Sequence, residues 1–278
     1  MNISGKTKVT GLFGYPVEHS LSPAMHNAAF EHLNLDYCYV TFSVRPDLLG
    51  DAVKAIRALS LSGVNVTVPH KENVMPFLDE ISEEASFIGA VNTIKNDNGK
   101  LTGYNTDGKG FMQSLSEAGI DVKNKKIFIA GAGGASRATG YYLCREASAV
   151  YLYDVDTRRA DALKGHLNKL EGNVSLAGAN DIKDKDFFSG VDIVINATPL
   201  GLKADDPMPV DISLIDKNHV VCDLIYKETP LLREASKKGC KTMDGLGMLL
   251  YQGVFAFEIW TGIMPPVEVM RQAIGNRR

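Results

Sequence analysis

The sequence predicts an α/β protein with two domains. Two observations lead to this class. In the first part of the chain, apolar β-branched runs alternate with segments of helical spacing, which is the βαβ pattern of a mainly parallel sheet. A second alternation begins at residue 126 with a strand, a glycine-rich turn (GAGGAS) and a helix. That order is typical of a doubly wound domain of the Rossmann type.

Length and composition agree with a globular protein of this kind. The chain has 278 residues, with 45% hydrophobic and 23% charged residues, which suits one large or two ordinary domains. The net charge of -3 does not favour a nucleic-acid or anionic-membrane partner. We expect a cytoplasmic protein, because no apolar run reaches signal-peptide or membrane-span length. Cysteine and histidine spacing predicts no metal site.

The elements of the first domain follow in order. Strands are predicted at 9–13, 37–44 and 64–68, and helices from Ser22-Pro23 and over 47–59. A polar helical stretch covers 80–86. Strands at 90–95 and 100–104 flank Asn-Asp-Asn-Gly, which is a strong hairpin signal.

The second domain is predicted from the same signals. A helix begins at or next to Asp107 and ends at Gly119. Strands are predicted at 126–130, 149–153, 192–196 and 220–224. Helices are predicted after the glycine turn and at 158–170, 229–239, 246–260 and 267–274.

The stretch NVTVPHK carries the first candidate site residues. Val64, Val66 and Val68 alternate with Asn65 and Thr67, and Pro69 ends the predicted strand. Because ligands of open α/β sheets bind outside the carboxyl ends of the strands, we expect Asn65, Thr67 and Lys71 to converge on one crevice. The alternative for Lys71 is an exposed lysine in a strand-to-helix turn.

The glycine turn predicts a dinucleotide site. Gly131 would make the tight turn, and Gly133 would let the backbone approach a pyrophosphate at the helix N-terminus. Ser136 replaces the usual third glycine. Asp154 closes the next strand 23 residues after Gly131, close to the ~20 residues expected for an acid that bonds the adenosine ribose. Another Rossmann ligand, such as S-adenosylmethionine, is the main alternative.

Asp154 also bears on the choice of cofactor. A carboxylate there accepts from a free ribose hydroxyl and repels a 2′-phosphate, which favours NAD. Arg158 and Arg159 lie within one helical turn and would pair with a phosphate, so NADP stays open. The alternative for both arginines is a solvated helix face.

With these motifs assembled, the chain resembles the shikimate dehydrogenases, including the quinate/shikimate dehydrogenases. The matching blocks run in one order along almost the whole chain: GYPVEHSLSPAMHN, NVTVPHKE, GAVNTI, GYNTDG, GAGGASRA, NATPLG and DGLGMLLYQG. The resemblance implies a substrate-binding domain (1–106, with helices of 246–278 packing back on it), a dinucleotide-binding Rossmann domain (107–245) and a cleft between them.

The resemblance also implies roles for single residues. Lys71 and Asp107 would be the catalytic pair. The substrate carboxylate would be held by Ser20 and Ser22, and the rest of the substrate would face Asn65, Thr67, Asn92, Tyr226 and Gln252. The cofactor would be held by Gly131, Ala132, Gly133, Gly134, Ala135, Asp154, Arg159, Leu224 and Gly245.

Each role has a simpler alternative. Ser22 would cap the helix that starts at Pro23, Ser20 would be a turn residue, and Asp107 would be a helix N-cap. Tyr226 and Gln252 by themselves would be core or surface residues. No role is assigned to His19, His26 or His70.

The sequence departs from the family at one place. The usual NADP pattern after the second strand of the Rossmann domain is Asn-Arg-Thr, whereas this chain has Asp154-Val155-Asp156. The arginine that would clamp a 2′-phosphate is absent, and this version is more similar to the NAD-using quinate/shikimate branch. We therefore expect NAD(H), with NADP(H) not excluded.

The implied activity is the reversible conversion of 3-dehydroshikimate to shikimate, a step of aromatic amino-acid biosynthesis. A quinate-preferring or dual quinate/shikimate dehydrogenase is the alternative within enzymes. The alternative from another class is a dinucleotide-binding sensor without catalysis, because fold does not fix function. The only partner expected is a small-molecule substrate, and the chain is expected to be a monomer or homodimer.

Overall fold

Two six-stranded sheets organise the chain. The computed structural model describes residues 3–170, 172–203 and 205–275. The first unit consists of residues up to 106 and those from 250 onward, and the second unit consists of residues 107–249. The boundary at 249 falls inside one long helix.

The first unit alternates strands and helices before it ends in a hairpin. Its elements are β1 (Lys8–Gly14), α1 (Ser22–His32), β2 (Tyr37–Ser43), α2 (Leu49–Ala58), β3 (Gly63–Val66), β4 (Glu80–Ile81), α3 (Glu83–Ile88), β5 (Thr93–Asp97) and β6 (Lys100–Tyr104). Helix α9 (Leu246–Thr261), from residue 250, and helix α10 (Val267–Gly275) complete it.

The sheet of the first unit has the order β2-β1-β3-β5-β6-β4. The pairs β1–β2, β1–β3 and β4–β6 are parallel, whereas β3–β5 and β5–β6 are antiparallel. The predicted hairpin is confirmed, with Asp97 opposite Lys100. Asn98 and Gly99 both have positive φ, 52° and 94°, as a type I′ turn requires.

The strand that carries Asn65 differs from the prediction. It ends at Val66, so Thr67 and Val68 lie beyond it, and Val68 is 69% exposed. All four residues of β3 are buried, because the strand lies between β1 and β5 in the middle of the sheet. The alternation of valines therefore did not mark a half-buried strand that continues to Pro69.

The helix predicted at 80–86 is observed at Glu83–Ile88, so its predicted bounds were wrong. Glu80 and Ile81 form the short strand β4, and the helix begins only at Glu83. Ser82 caps that helix, because its side-chain oxygen accepts the backbone N–H of Ala85 at 3.2 Å.

The second unit is a doubly wound α/β domain. Its elements are α4 (Asp107–Glu117), β7 (Lys126–Ala130), α5 (Gly134–Glu146), β8 (Ala149–Tyr153), α6 (Thr157–Leu167), β9 (Val174–Leu176), α7 (Lys185–Ser189), β10 (Ile193–Asn196), β11 (Val220–Asp223), α8 (Pro230–Lys237) and β12 (Lys241–Met243). The sequence analysis missed β9, α7 and β12, which have only three to five residues each.

The sheet of the second unit is parallel throughout, in the order β12-β11-β10-β7-β8-β9. The strand order reverses between β7 and β10, so the crevice at the carboxyl ends of these strands is the ligand position of a Rossmann fold. Among the described helices, none is long and apolar enough to cross a membrane.

An aromatic cluster in the first unit surrounds a buried histidine. His26 on α1 is fully buried and stacks on Tyr39 at 4.5 Å between ring centroids. Phe257 and Trp260 of α9 lie at 6.2 and 5.2 Å. Neither ring nitrogen of His26 has a hydrogen-bond partner. Burial therefore lowers the pKa of His26 to about 3.

This histidine is expected to make stability depend on pH. Below the ordinary histidine pKa of ~6.5 the unfolded chain binds a proton that folded His26 does not bind until the pH nears 3. Because of this group, the free energy of unfolding should decrease by roughly 1.4 kcal/mol for each unit by which the pH falls between ~6.5 and about 3. Denaturant unfolding of wild type and His26→Phe, which keeps the stacked ring, measures the difference.

The His26→Phe variant should gain stability over wild type as the pH falls from 7 to 4. His19→Phe is the matched control, because His19 is exposed, and it should follow the wild-type curve. Parallel curves for wild type and His26→Phe would show that folding does not lower the pKa of His26.

Candidate active site

The loop after β3 holds Lys71 by its backbone. The Val91 N–H donates to the Lys71 carbonyl at 2.8 Å, and the His70 N–H donates to the Thr67 carbonyl at 2.9 Å. The buried His70 ring donates through Nε2 to the Val44 carbonyl at 2.7 Å, because a carbonyl can only accept. His70 thus has a structural role that the sequence did not reveal, and the partly exposed Lys71 follows a fixed backbone.

A row of buried hydrogen bonds crosses the first unit and joins several predicted substrate-binding residues. We name it the polar row; in order of donation its members are Tyr39, Asn65, Thr93, Asn92, Thr106 and the backbone carbonyl of Gln252. Its donor–acceptor distances are 2.9–3.0 Å from the Tyr39 hydroxyl onward. Such a row fixes side-chain orientations, because each side chain accepts a hydrogen bond from one neighbour and donates one to the next.

Three members of the polar row were missed by the sequence analysis. Thr93 follows Asn92 directly and Thr106 precedes Asp107 directly, so the motifs VNTI and NTD contained a signal for both. Tyr39 had no such signal. It reaches the row because β2 pairs in parallel with β1 and β1 with β3, which brings Tyr39 to the Asn65 side chain.

The two serines differ from the expected helix cap. Ser22 is the first residue of α1, the cap position belongs to Leu21, and no side chain caps the helix. The Ser22 side chain instead faces the buried Tyr39 hydroxyl. Ser20 Oγ accepts the Ser22 N–H at 3.3 Å, so the Ser20 O–H points away from that bond and is suited to donate to an anion.

The other predicted substrate-binding residues differ in their exposure to solvent. Asn92 is 2% exposed, and its Oδ1 accepts the Thr106 N–H at 2.8 Å. Thr67 and Gln252 are partly exposed, and Tyr226 is 47% exposed. Tyr226 belongs to the second unit, whereas the polar row lies in the first.

Asp107 opens the second unit. It is the first residue of α4 and is buried, so it lies one position inside the cap. The next residue, Gly108, packs so tightly against the Ala138 carbonyl of α5 that a side chain would collide with it. This packing fixes the start of α4.

The glycine turn after β7 has the geometry that a pyrophosphate requires. Gly131 has a φ of 101°, and its N–H donates to the Tyr153 carbonyl at 2.7 Å; only glycine adopts this backbone at no cost. The Ser136 hydroxyl donates to the Gly131 carbonyl at 2.6 Å, so the serine in place of the third glycine braces the turn. A side-chain carbon built on Gly133 or Gly134 meets nothing within 4 Å. The space before α5 is therefore open, at a helix N-terminus of the kind that favours anions.

Asp154 is tied to the glycine turn. Its carboxylate accepts the Ala132 N–H at 2.7 Å and the Asp156 N–H at 2.9 Å. Asp156 in turn caps α6 by accepting the N–H groups of Arg158 and Arg159. Two carboxylates thus follow β8, with Val155 between them 89% exposed. Arg159 is exposed.

The backbone around Leu224 is held from β10. Its N–H donates to the Asn196 carbonyl at 2.9 Å, and Asn196 Nδ2 donates to the buried Asp223 carboxylate at 3.1 Å. Burial raises the pKa of Asp223. Gly245 lies so close to the Leu224 carbonyl that any side chain would overlap it. Leu224 and Gly245, both predicted cofactor residues, are therefore adjacent in the fold.

Fold and site together define a class of protein. A Rossmann unit with an open glycine turn suits a nicotinamide dinucleotide, and the other unit offers an amine and oriented groups for a hydroxylated ligand. The class is that of NAD(P)-dependent oxidoreductases that act on a CH–OH group.

Comparison with known proteins narrows this class. Residues 12–94 match the shikimate dehydrogenase substrate binding domain, and residues 245–274 match the shikimate 5'-dehydrogenase C-terminal domain. A shikimate dehydrogenase (NADP(+)) of Desulforamulus reducens is 49% identical over 98% of this chain and 96% of its own. The chain belongs to the shikimate dehydrogenase family.

Solved structures of similar fold belong to the same family. A shikimate dehydrogenase crystallised with NADP+ has a TM-score of 0.92 and 44% identity, covering 99% of this chain and 97% of its own. The shikimate 5-dehydrogenase of Listeria monocytogenes, solved with shikimate and NAD, has a TM-score of 0.91 and 37% identity, with 98% of both chains covered. Members of similar structure thus bind either dinucleotide.

Proposed function

We propose that this protein catalyses the reversible, NAD(P)-dependent interconversion of 3-dehydroshikimate and shikimate. The observation that carries the proposal is the polar row, which orients donors and acceptors for a ring with several hydroxyl groups. The polar row includes Asn65 of β3, the strand that precedes the Lys71 loop. The first unit would hold the substrate, and the second would hold the dinucleotide.

Lys71 is the proposed proton-transfer group. A bound NAD(P) would supply the hydride transfer to and from the ring carbon, and this chain would supply the proton transfer. In the oxidation, the neutral Lys71 amine takes the proton of the reacting hydroxyl as the C–O bond becomes a carbonyl. In the reduction, the Lys71 ammonium gives that proton to the developing alkoxide.

Asp107 and the serines have supporting roles in this proposal. The Asp107 carboxylate accepts a hydrogen bond and so orients the reacting hydroxyl and the Lys71 amine. The Ser20 hydroxyl, whose oxygen already accepts the Ser22 N–H, donates to the substrate carboxylate. Ser22 joins it at the N-terminus of α1, where the helix dipole favours an anion.

The cofactor proposed for this chain is NAD. Support comes from the two carboxylates after β8, Asp154 and Asp156, and from Val155 at the position where the family carries arginine. A 2′-phosphate would meet negative charge there, whereas a ribose hydroxyl would donate to it.

The test is absorbance at the nicotinamide band, with shikimate or quinate paired in turn with NAD or NADP. We expect turnover with shikimate and NAD to exceed the other three pairs. A higher efficiency with quinate would make the protein a quinate-preferring dehydrogenase. Tight dinucleotide binding without turnover of either acid would contradict the proposed activity.

A further inference from the structure

The orientation of Asn65 in the polar row is fixed by a backbone group. Asn65 Nδ2 faces the Asn92 carbonyl at 3.1 Å and Thr93 Oγ1 at 3.0 Å. A carbonyl only accepts hydrogen bonds, so the nitrogen of the amide must lie on that side and Oδ1 on the other. Both Nδ2 hydrogens of Asn65 are therefore used within the protein.

Tyr39 occupies the other side of that amide. Because Oδ1 of Asn65 only accepts, the Tyr39 hydroxyl must donate to it, at 2.9 Å. The Ser22 side chain faces the same hydroxyl. One buried hydroxyl thus binds Asn65 of β3 and lies beside Ser22 of α1, two predicted substrate-binding residues.

Tyr39 is held independently of any ligand. Its backbone N–H donates to Asn27 Oδ1 at 2.8 Å, and its backbone carbonyl accepts a hydrogen bond from Asn27 Nδ2 at 2.9 Å. Its ring is 2% exposed and stacks on His26. The hydroxyl is therefore presented from a rigid strand and a packed ring.

We propose that Tyr39 is a positioning residue for the substrate site, acting through Asn65. With its two hydrogens used and one lone pair of Oδ1 accepting from Tyr39, Asn65 keeps a single acceptor position for a ligand. Asn65 therefore receives a hydrogen bond from a substrate hydroxyl and discriminates against a carbonyl or ether oxygen at that position. This inference rests on the proposed function.

The test replaces Tyr39 by phenylalanine, which keeps the stacked ring and removes the hydroxyl. We expect KM for shikimate to rise roughly 3- to 10-fold, the range for one hydrogen bond. The change in kcat should be smaller, and KM for the dinucleotide should not change, because the loss concerns substrate orientation. Tyr37→Phe on the same strand is the matched control, since Tyr37 stacks on Phe30 outside the polar row. It should leave both KM values unchanged.

A double-mutant cycle separates positioning through Asn65 from a general structural effect. In the Asn65→Ala background, Tyr39→Phe should have no further effect on KM. Additive effects, or an unchanged KM in the single variant with wild-type thermal unfolding, would overturn the inference while the activity stands. If the wild type turns over neither acid, the proposed function fails, and this inference falls with it.

Discussion

The Lys71→Ala variant is expected to turn over shikimate ~10²–10⁴-fold more slowly than the wild type, the usual contribution of a positioned acid or base. Folding should be retained, because the substitution keeps the Lys71 carbonyl and the His70 ring, whose hydrogen bonds hold this loop. Steady-state kinetics with saturating shikimate and dinucleotide, together with thermal unfolding, measure both effects.

Two further variants sharpen the Lys71 result. Lys71→Arg keeps the positive charge but cannot give up its proton, so it should be nearly as slow as Lys71→Ala in oxidation. Lys54→Ala removes an exposed lysine that pairs with Asp51 on α2 and should behave as wild type. Turnover of Lys71→Ala within about tenfold of wild type would exclude Lys71 from proton transfer.

The second large effect is expected in cofactor choice. The wild type should prefer NAD to NADP by a factor of ten or more in kcat/KM, because a carboxylate ~4 Å from a phosphate costs about 1–4 kcal/mol near a protein surface. Asp154→Asn removes that charge, and Val155→Arg adds the missing clamp at a side chain that is 89% exposed. The combined variant should reverse the preference toward NADP.

Two controls separate the effect of the Asp154 charge from its structural role in the glycine turn. Asp161→Asn changes the same charge on α6, at a residue paired with Lys164, and should leave the ratio of NAD to NADP efficiency unchanged. Asp154→Asn also weakens the bond to the Ala132 N–H, so its dinucleotide KM is measured for both cofactors. A wild-type preference for NADP would mean that Arg158 or Arg159 reaches the 2′-phosphate and that the Asp154 argument is wrong.

Local patterns in the sequence were sufficient for most of the fold. The strands at 126–130 and 149–153 are observed with the predicted bounds, because a short, largely buried apolar run between turns leaves few alternatives. The Asn-Gly turn predicted the hairpin of β5 and β6 for a similar reason, since two positive φ angles admit few residue types. The family resemblance likewise rested on short motifs that can be read without the fold.

The sequence by itself thus determined the α/β class, the glycine turn, and the family to which the chain belongs. Only the tertiary structure decided that β3 stops at Val66, that no side chain caps α1, and that His26 is buried among aromatic rings. The physical reason is distance along the chain. Helix periods, caps and turns depend on neighbouring residues, whereas the contact between Tyr39 and Asn65 depends on how β2, β1 and β3 pair in register.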